Sequence, residues 1–365
     1  MLILNRLSLH YIILFGIFFR LLTYFYFIYN PLYHSEFGEI GSLVFQYFND
    51  YPFYYNFGEE VILICGNLNK AIIDTYLSLL TFNLDNVSAR IPGFVFPFIL
   101  YLHQYSENNV LYLSISTFII EMFLMILWCY YFKYKKLHNL YIIIFILLPI
   151  PFIFAFIHSP DVWFFLLTSL IILKYEKFIK VNNFFLLLIC FLIVSTKPHG
   201  IVLVGLIFME KIINIKKKNF IFILICFLIL VYSFFYYFPY YYLEFLRINS
   251  DIYKSKFAIN FNENLFIHYM YKLFYLLGGN PGGSGLSIII ISRNICAMIF
   301  LIGFINMILS GNYNLIFLYI LISIILIVLL FYPAYRYSIN FVPILFLNFC
   351  IALNKLLSLF TYVRK

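Results

Sequence analysis

The sequence predicts an all-α polytopic membrane protein with about ten transmembrane helices. Hydrophobic residues make up 64% of its 365 positions, and charged residues make up only 11%. The mean hydropathy is +0.97, far above the range of water-soluble domains. Repeated apolar runs of about 17 or more residues are long enough to cross roughly 30 Å of hydrocarbon as helices. Transmembrane β-strands would be shorter and would alternate in polarity, so these runs favour helices.

The apolar runs, taken in order, give the predicted spans. The first run, Leu9–Tyr29, is too long for a signal peptide and no small-residue cleavage site follows it, so it is expected to remain as a membrane helix. Neither a low-complexity linker nor an internal repeat divides the chain, so residues 1–365 are expected to form one domain. The predicted spans lie near 9–29, 111–132, 139–157, 162–174, 183–195, 200–209, 220–238, 286–308, 315–331 and 338–354.

The basic residues predict which helix ends face the cytoplasm. The net charge of +9 comes largely from short clusters between apolar runs, a pattern that indicates membrane topology rather than nucleic-acid binding. With a cytoplasmic N-terminus, two long segments, 30–110 and 239–285, lie on the outer face, and loops of that length are usually functional. The cytoplasmic turns then hold Lys133, Lys135, Lys136, Lys174, Lys177, Lys180, Lys211, Lys216, Lys217, Lys218, Lys355, Arg364 and Lys365.

Acidic residues on the outer face are candidates for chemistry. Glu36 and Glu39 follow the first helix, where a carboxylate could act as a general base, although a solvated loop acid would look the same in sequence. Asp161 follows a proline at the start of a predicted helix. It is either a first-turn acid favoured by the helix dipole or a functional group, because ionisable residues at membrane depth tend to mark sites.

Basic residues on the outer face break the positive-inside pattern. Lys197 and His199 lie in a short outer turn, where they either bind a phosphate or extend to the membrane interface. Arg336 lies among aromatic residues in another short outer turn, and its guanidinium suits phosphate. Arg20 and Arg293 lie inside apparent spans, where they either pair with buried acids or line a cavity.

The first outer segment also contains a predicted surface helix. Between Leu68 and Phe82, apolar residues recur at helical spacing beside Lys70 and Asp74. This pattern is typical of an amphipathic helix that lies on the membrane and does not cross it.

Several of these segments, spread over roughly residues 10–200, resemble the C-type glycosyltransferases. The similarity is greatest to the branch of protein O-mannosyltransferases and lipid A aminoarabinose transferases. The family's acidic position after the first helix is held here by Ser35 or Glu36, depending on a one-residue shift in register, and the Lys70 element lacks the usual following prolines. The similar elements are Ser35–Glu39, Asn69–Ile72, Ala89-Arg90-Ile91-Pro92, Pro160-Asp161, Thr196–Gly200 and Arg336-Tyr337 with Pro343.

The resemblance implies the transfer of a sugar from a polyprenyl- or dolichyl-phosphate donor to an acceptor hydroxyl at the outer, periplasmic or lumenal, face. Glu36 or Glu39 would take the acceptor's proton, and Asp161 would orient the acceptor, the base or a metal ion. The acceptor would be a glycan, a lipid or a protein, and the membrane would be a bacterial inner membrane or the endoplasmic reticulum. No cofactor is required, although a divalent metal fits this chemistry. The implied phosphate-binding residues are Lys70, Arg90, Lys197, His199 and Arg336.

Two other classes fit the same composition. A transporter or flippase of lipid-linked saccharides would also need an apolar bundle with cations at one face, but such proteins often show repeated halves, which are not visible here. A polysaccharide polymerase would use diphosphate-linked donors and would be expected to depend on arginines more than on carboxylates.

The predicted topology has an even number of helices, most simply ten, with both termini in the cytoplasm. We expect single cysteines introduced near Lys135 and near Asp161 to react with a membrane-impermeant thiol reagent from opposite sides, because the positive-inside rule places these turns on different faces. Labelling of sealed and of permeabilised vesicles measures this. Labelling of both positions from one side would rule out the arrangement.

Overall fold

The computed structural model describes an α-helical bundle. The residues that it describes are 8–29, 32–34, 38–40, 109–148, 160–196, 200–213, 265–279, 287–311, 314–330 and 338–363. The predicted span at 220–238 and the predicted surface helix at 68–82 lie outside these residues.

Ten helices make up most of the described chain, and nine of them coincide with predicted apolar runs. The agreement follows from the length of the runs, since a backbone in an apolar phase must satisfy its hydrogen bonds within its own segment. The helices are α1 (Leu9–Tyr29), α2 (Asn109–Tyr134), α3 (Asn139–Leu147), α4 (Pro160–Tyr175), α5 (Asn183–Thr196), α6 (Ile201–Ile213), α7 (Leu265–Leu276), α8 (Ser287–Leu309), α9 (Leu315–Leu330) and α10 (Val342–Val363).

Three stretches within the described helices are long and apolar enough to cross a membrane: Ile115–Tyr134, Ile291–Leu309 and Val342–Leu359. The outward faces of the bundle also carry large apolar side chains, such as Phe184 and Leu309, which are more than 70% exposed. Exposed apolar surface of this extent is unfavourable in water and favourable against lipid. The amino-acid composition and the exposed apolar surface of the bundle therefore both indicate a membrane environment.

Helix α3 is shorter than the predicted span at 139–157. It ends at Leu147, and Leu148 has an extended backbone with a ψ angle of 130°. Pro149 follows directly, and a proline disfavours the helical conformation in the residue before it. At about 1.5 Å per residue, the nine residues of α3 rise only about 14 Å, less than half of the hydrocarbon thickness.

The long outer segments predicted from the sequence contain some regular structure. Helix α7 lies within 239–285, and it packs against α8 and α9. In the first outer segment, the backbones of β1 (Leu32–His34) and β2 (Gly38–Ile40) form a short antiparallel pair in which Tyr33 is opposite Glu39. No helix was predicted within 239–285, so α7 is an addition to the predicted fold.

Helix α4 has a central position, in contact with α2, α5 and α9. The indole Nε1 of Trp128 on α2 donates a hydrogen bond of 3.1 Å to the hydroxyl of Ser169 on α4. Just beyond both helices, the ammonium of Lys135 lies 2.5 Å from a carboxylate oxygen of Glu176. The two helices therefore run in the same direction, side by side.

Polar side chains begin three of the helices. The Nδ1 atom of His138 accepts a hydrogen bond from the backbone N–H of Leu140 at the start of α3. Asn182 and Asn314 accept equivalent bonds of 2.8 Å at the starts of α5 and α9. Each cap satisfies an N–H that has no partner within its helix.

Lysines occupy the turns that end α2 and α4. Lys136 and Lys177 both have a φ angle of 59°, the left-handed conformation that usually selects glycine. The N–H after each lysine returns to a carbonyl in the last turn of the helix, as in a Schellman motif. We call the end of the bundle that carries these two turns the lysine end, and the opposite end, where α4 begins, the Asp161 end.

Helices α8 and α10 approach each other more closely than side chains normally permit. A Cβ atom added to Gly303 would lie 2.0 Å from the carbonyl oxygen of Leu345 and 3.2 Å from the backbone N of Phe349. One turn away, the amide of Asn306 donates a hydrogen bond of 2.9 Å to the carbonyl of Asn348. Small residues and interhelical amide bonds are typical of helix packing in membranes.

This close approach predicts that Gly303→Ala destabilises the protein. We expect a loss of about 1–3 kcal/mol or more, because the added methyl group meets rigid backbone. Gly205→Ala is the matched control, since nothing lies within 4 Å of its added Cβ and the change favours helix by up to about 1 kcal/mol. Thermal unfolding in detergent compares the two variants, and equal midpoints would contradict the packing.

Candidate functional site

Asp161 is the one predicted catalytic residue whose side chain belongs to the described part of the structure. It is the second residue of α4, after Pro160, and only 1% of its surface is exposed. Proline suits the first helical position because its missing N–H would have no partner there. A carboxylate in the first turn is stabilised by the helix dipole. Burial of the charge nevertheless sets Asp161 apart from an ordinary surface cap.

Gly200, which directly precedes α6, lies near the start of α4. A Cβ added to Gly200 would lie 3.0 Å from the ring of Phe164, three residues after Asp161, and 2.4 Å from Cγ2 of Ile193. Thr196, the last residue of α5, is fully buried, and its hydroxyl donates to the carbonyl of Leu192. The structure thus places the last residue of the Thr196–Gly200 element against α4, one turn after Asp161.

The side chains of the other predicted site residues lie outside the described part of the structure, so their roles stay predictions. The backbone of Glu39 belongs to β2. The other positions lie outside the described residues: Glu36, Lys70, Arg90, Lys197, His199 and Arg336.

A buried ion pair joins α1 and α2 at the point where α3 ends. The Nε atom of Arg20 lies 3.5 Å from a carboxylate oxygen of Glu121, and about 95% of both side chains is buried. The guanidinium also donates to the carbonyls of Ile146 and Leu148, for which α3 itself supplies no N–H donor. Of the two alternatives open for Arg20, the structure shows pairing with a buried acid. Glu121 was missed in the sequence, although an acid within an apolar run is itself a signal.

Two further buried cations contact backbone carbonyls. Arg293 on α8 donates to the carbonyl oxygens of Gly278, at 2.8 Å, and Gly279, just after the end of α7. Lys272 on α7 donates to the carbonyl of Val328, near the end of α9, at 3.3 Å. Helix α7 belongs to the segment 239–285, which the sequence predicts on the outer face, and burial lowers the pKa of Lys272 to about 8. Helical spacing of apolar residues in α7 could have revealed this helix.

The lysine end of the bundle contains a cavity of about 190 Å³. The ion pair of Lys135 and Glu176 lies on one wall, and the hydroxyl of Tyr131 donates a hydrogen bond of 2.8 Å to Glu176. Ser310 and Asn314 also line the cavity. The cavity is therefore remote from Asp161, and it carries none of the predicted site residues.

A metal site was one option for the Asp161 end. Within the described residues, no group of three or more His, Cys, Asp or Glu side chains is placed to hold a metal ion. Four cysteines are described, all free and buried: Cys129, Cys190, Cys296 and Cys350.

The helices, the lipid-like exterior and the buried charges define the class: this is a helical protein with the features of a multi-pass membrane protein. Comparisons with protein families, curated proteins and solved structures find no match to the chain. Its function must therefore be argued from its own residues.

The contact between Gly200 and Phe164 predicts that substitutions at the two positions are coupled. Gly200→Ala should destabilise the protein by about 1–3 kcal/mol, because the backbone at this residue must move away from Ile193. Phe164→Leu leaves residue 200 more space, so we expect the double variant to be at least about 0.5 kcal/mol more stable than additivity predicts. Unfolding in detergent measures this coupling. Gly205→Ala combined with Phe164→Leu is the control and should be additive, and additivity at Gly200 as well would refute the contact.

Proposed function

We propose that this chain is a membrane-embedded glycosyltransferase, which transfers a sugar from a polyprenyl- or dolichyl-phosphate donor to an acceptor hydroxyl at the outer membrane face. The proposal starts from the resemblance of its ordered sequence elements to the C-type glycosyltransferases. A long lipid donor gives a physical reason for an enzyme made mostly of apolar helices.

One observation carries this proposal: the packing of Gly200 against Phe164. Gly200, the last residue of the Thr196–Gly200 element, lies against Phe164, one turn after Asp161 and about 35 residues away in the sequence. Transfer requires an acid that orients the reactants and cations that bind phosphate at the same membrane face, so this proximity supports it. An arrangement at opposite ends would have excluded the reaction.

The proposed reaction is a displacement at the anomeric carbon. The acceptor oxygen forms a bond to that carbon, the bond to the phosphate oxygen breaks, and lipid phosphate leaves. Glu36, or Glu39 in the alternative register, takes the acceptor's proton, and Asp161 orients the acceptor or the base. Lys197 and Arg336, with Lys70, Arg90 and His199, stabilise the charge that develops on the leaving phosphate.

A transporter of lipid-linked saccharides is the second candidate, favoured by one observation. Helix α3 ends within the bundle beside the buried pair of Arg20 and Glu121. Interrupted helices and intramembrane charges are common at transporter sites. An assay that follows both transfer and transbilayer movement of a lipid-linked sugar separates the two candidates.

The proposed roles predict two classes of variant. Glu36→Gln should lower the transfer rate by about 10²–10⁴ while donor binding stays nearly intact, because the amide keeps the shape of the side chain but accepts no proton. Lys197→Ala and Arg336→Ala should weaken donor binding and turnover together, since each removes a positive charge from the phosphate. Proteoliposomes with a labelled polyprenyl-phosphate sugar allow both measurements.

Lys135→Ala is the matched control for Lys197→Ala, because Lys135 belongs to the lysine end of the bundle. It should leave donor binding and turnover unchanged. If Glu39→Gln abolishes transfer and Glu36→Gln does not, the register shifts to Glu39. If neither matters, the proposed function fails.

A further inference from the structure

The helices α2 and α4 are aligned so that Glu121 lies near the level of the first turns of α4. Trp128 contacts Ser169 within the two helices, and Lys135 contacts Glu176 just beyond them, both at a separation of 41 positions. The hydrogen bond from Tyr131 to Glu176 has a separation of 45. In parallel helices these separations place Glu121 opposite residues 162–166, so that Asp161 lies roughly 1.5–7.5 Å, one to five residue rises, from the level of Glu121.

Glu121 also lies on the side of α2 that faces α4. It precedes Trp128 by seven residues, which is nearly two full helical turns, so both side chains leave α2 in about the same direction. Only 3% of Glu121 is exposed, and among the described residues neither carboxylate oxygen has a hydrogen-bond partner. Its contact with the guanidinium of Arg20 is therefore what compensates its burial.

Arg20 connects this level to two other helices. Its own helix, α1, approaches α2 and α3 closely at Gly16, four residues earlier, where an added Cβ would lie 3.1 Å from Met125 and 3.2 Å from Ile146. The guanidinium bonds the carbonyls of Ile146 and Leu148 and pairs with Glu121. One side chain thus fixes the end of α3 against α2, and α2 in turn packs against α4.

We propose that Arg20 and Glu121 are positioning residues for Asp161. The pair fixes the position of α2 along α3. Helix α2 in turn packs against α4, which carries Asp161 in its first turn. The inference rests on the proposed function only for what Asp161 does, whereas the placement of α4 is a property of the fold. Its test therefore needs one measurement of structure and one of catalysis.

The experiment compares Arg20→Met, Glu121→Gln and the double variant Arg20→Met/Glu121→Leu with the native protein. Each single change leaves a buried partner uncompensated, which lowers stability. The double change removes both charges, so most of the lost stability should return, as replacement of buried ion pairs by apolar residues commonly shows. The carbonyls of Ile146 and Leu148 stay without their donor, which accounts for the remaining loss. The double variant therefore separates an effect on the position of α4 from an effect on the stability of the protein.

Three measurements apply to every variant in detergent or proteoliposomes. They are the midpoint of thermal unfolding, amide hydrogen exchange in the peptide at 160–168, and the kcat and donor KM of sugar transfer. Arg293→Met is the matched control, because it removes another buried arginine that binds helix-end carbonyls, those of Gly278 and Gly279.

The double variant should unfold within a few degrees of the native midpoint, exchange at least tenfold faster at 160–168, and lose at least tenfold in kcat with less than threefold change in donor KM. Arg293→Met should leave exchange at 160–168 unchanged. Native exchange in the double variant, or the same increase in Arg293→Met, would overturn the inference. If Arg20→Met does not fold, the double variant carries the comparison. If hydrogen exchange at 160–168 increases in the double variant but the native protein transfers no sugar, the pair still positions α4 and the proposed function fails.

Discussion

The organisation of this bundle depends on backbone carbonyls that helices leave free within an apolar surrounding. In water such groups are hydrated, but inside a membrane bundle each needs a donor from the protein. Three buried cations supply donors: Arg20 to the end of α3, Lys272 to the end of α9 and Arg293 to the end of α7. Each cation also meets the negative end of a helix dipole, which reduces the penalty of its own burial. The buried cations and the carbonyls at the helix ends thus stabilise each other, because each would be costly to bury without the other.

The two ends of the bundle use polar groups differently. At the lysine end, charged groups are partly exposed, and the pair of Lys135 and Glu176 closes a wall of a cavity. At the Asp161 end, polar side chains such as Asp161 and Thr196 are buried against packed apolar groups. A partly exposed ion pair at the lysine end suits contact with water and lipid headgroups. A buried acid held by packing suits chemistry that must proceed with little water.

Much of the helical fold could be predicted from the sequence, because long apolar runs leave the backbone no alternative to helix. The end of α3 was also within reach, since Pro149 and Pro151 interrupt the run that was extended to 157. Helix α7 was missed because His268 and Lys272 interrupt the apolar residues of its 12-residue segment. The approach of Gly200 to Phe164 and the pairing of Arg20 with Glu121 depend on packing between distant segments, which periodicity within one helix does not encode. The residues of the proposed site were predicted from the sequence, and the structure describes the surroundings of one of them, Asp161.

The lysines at the left-handed ends of α2 and α4 have a consequence for biogenesis. Glycine would fit the conformation of Lys136 and Lys177 with less strain, yet it would remove a positive charge from a short turn. The positive-inside rule predicts that such charges act earlier than folding, when the insertion machinery retains basic turns in the cytoplasm. Translocation and native stability therefore make opposite demands on the same two positions. A chain improved for folding alone, with glycine at both, would risk entering the membrane in the wrong orientation.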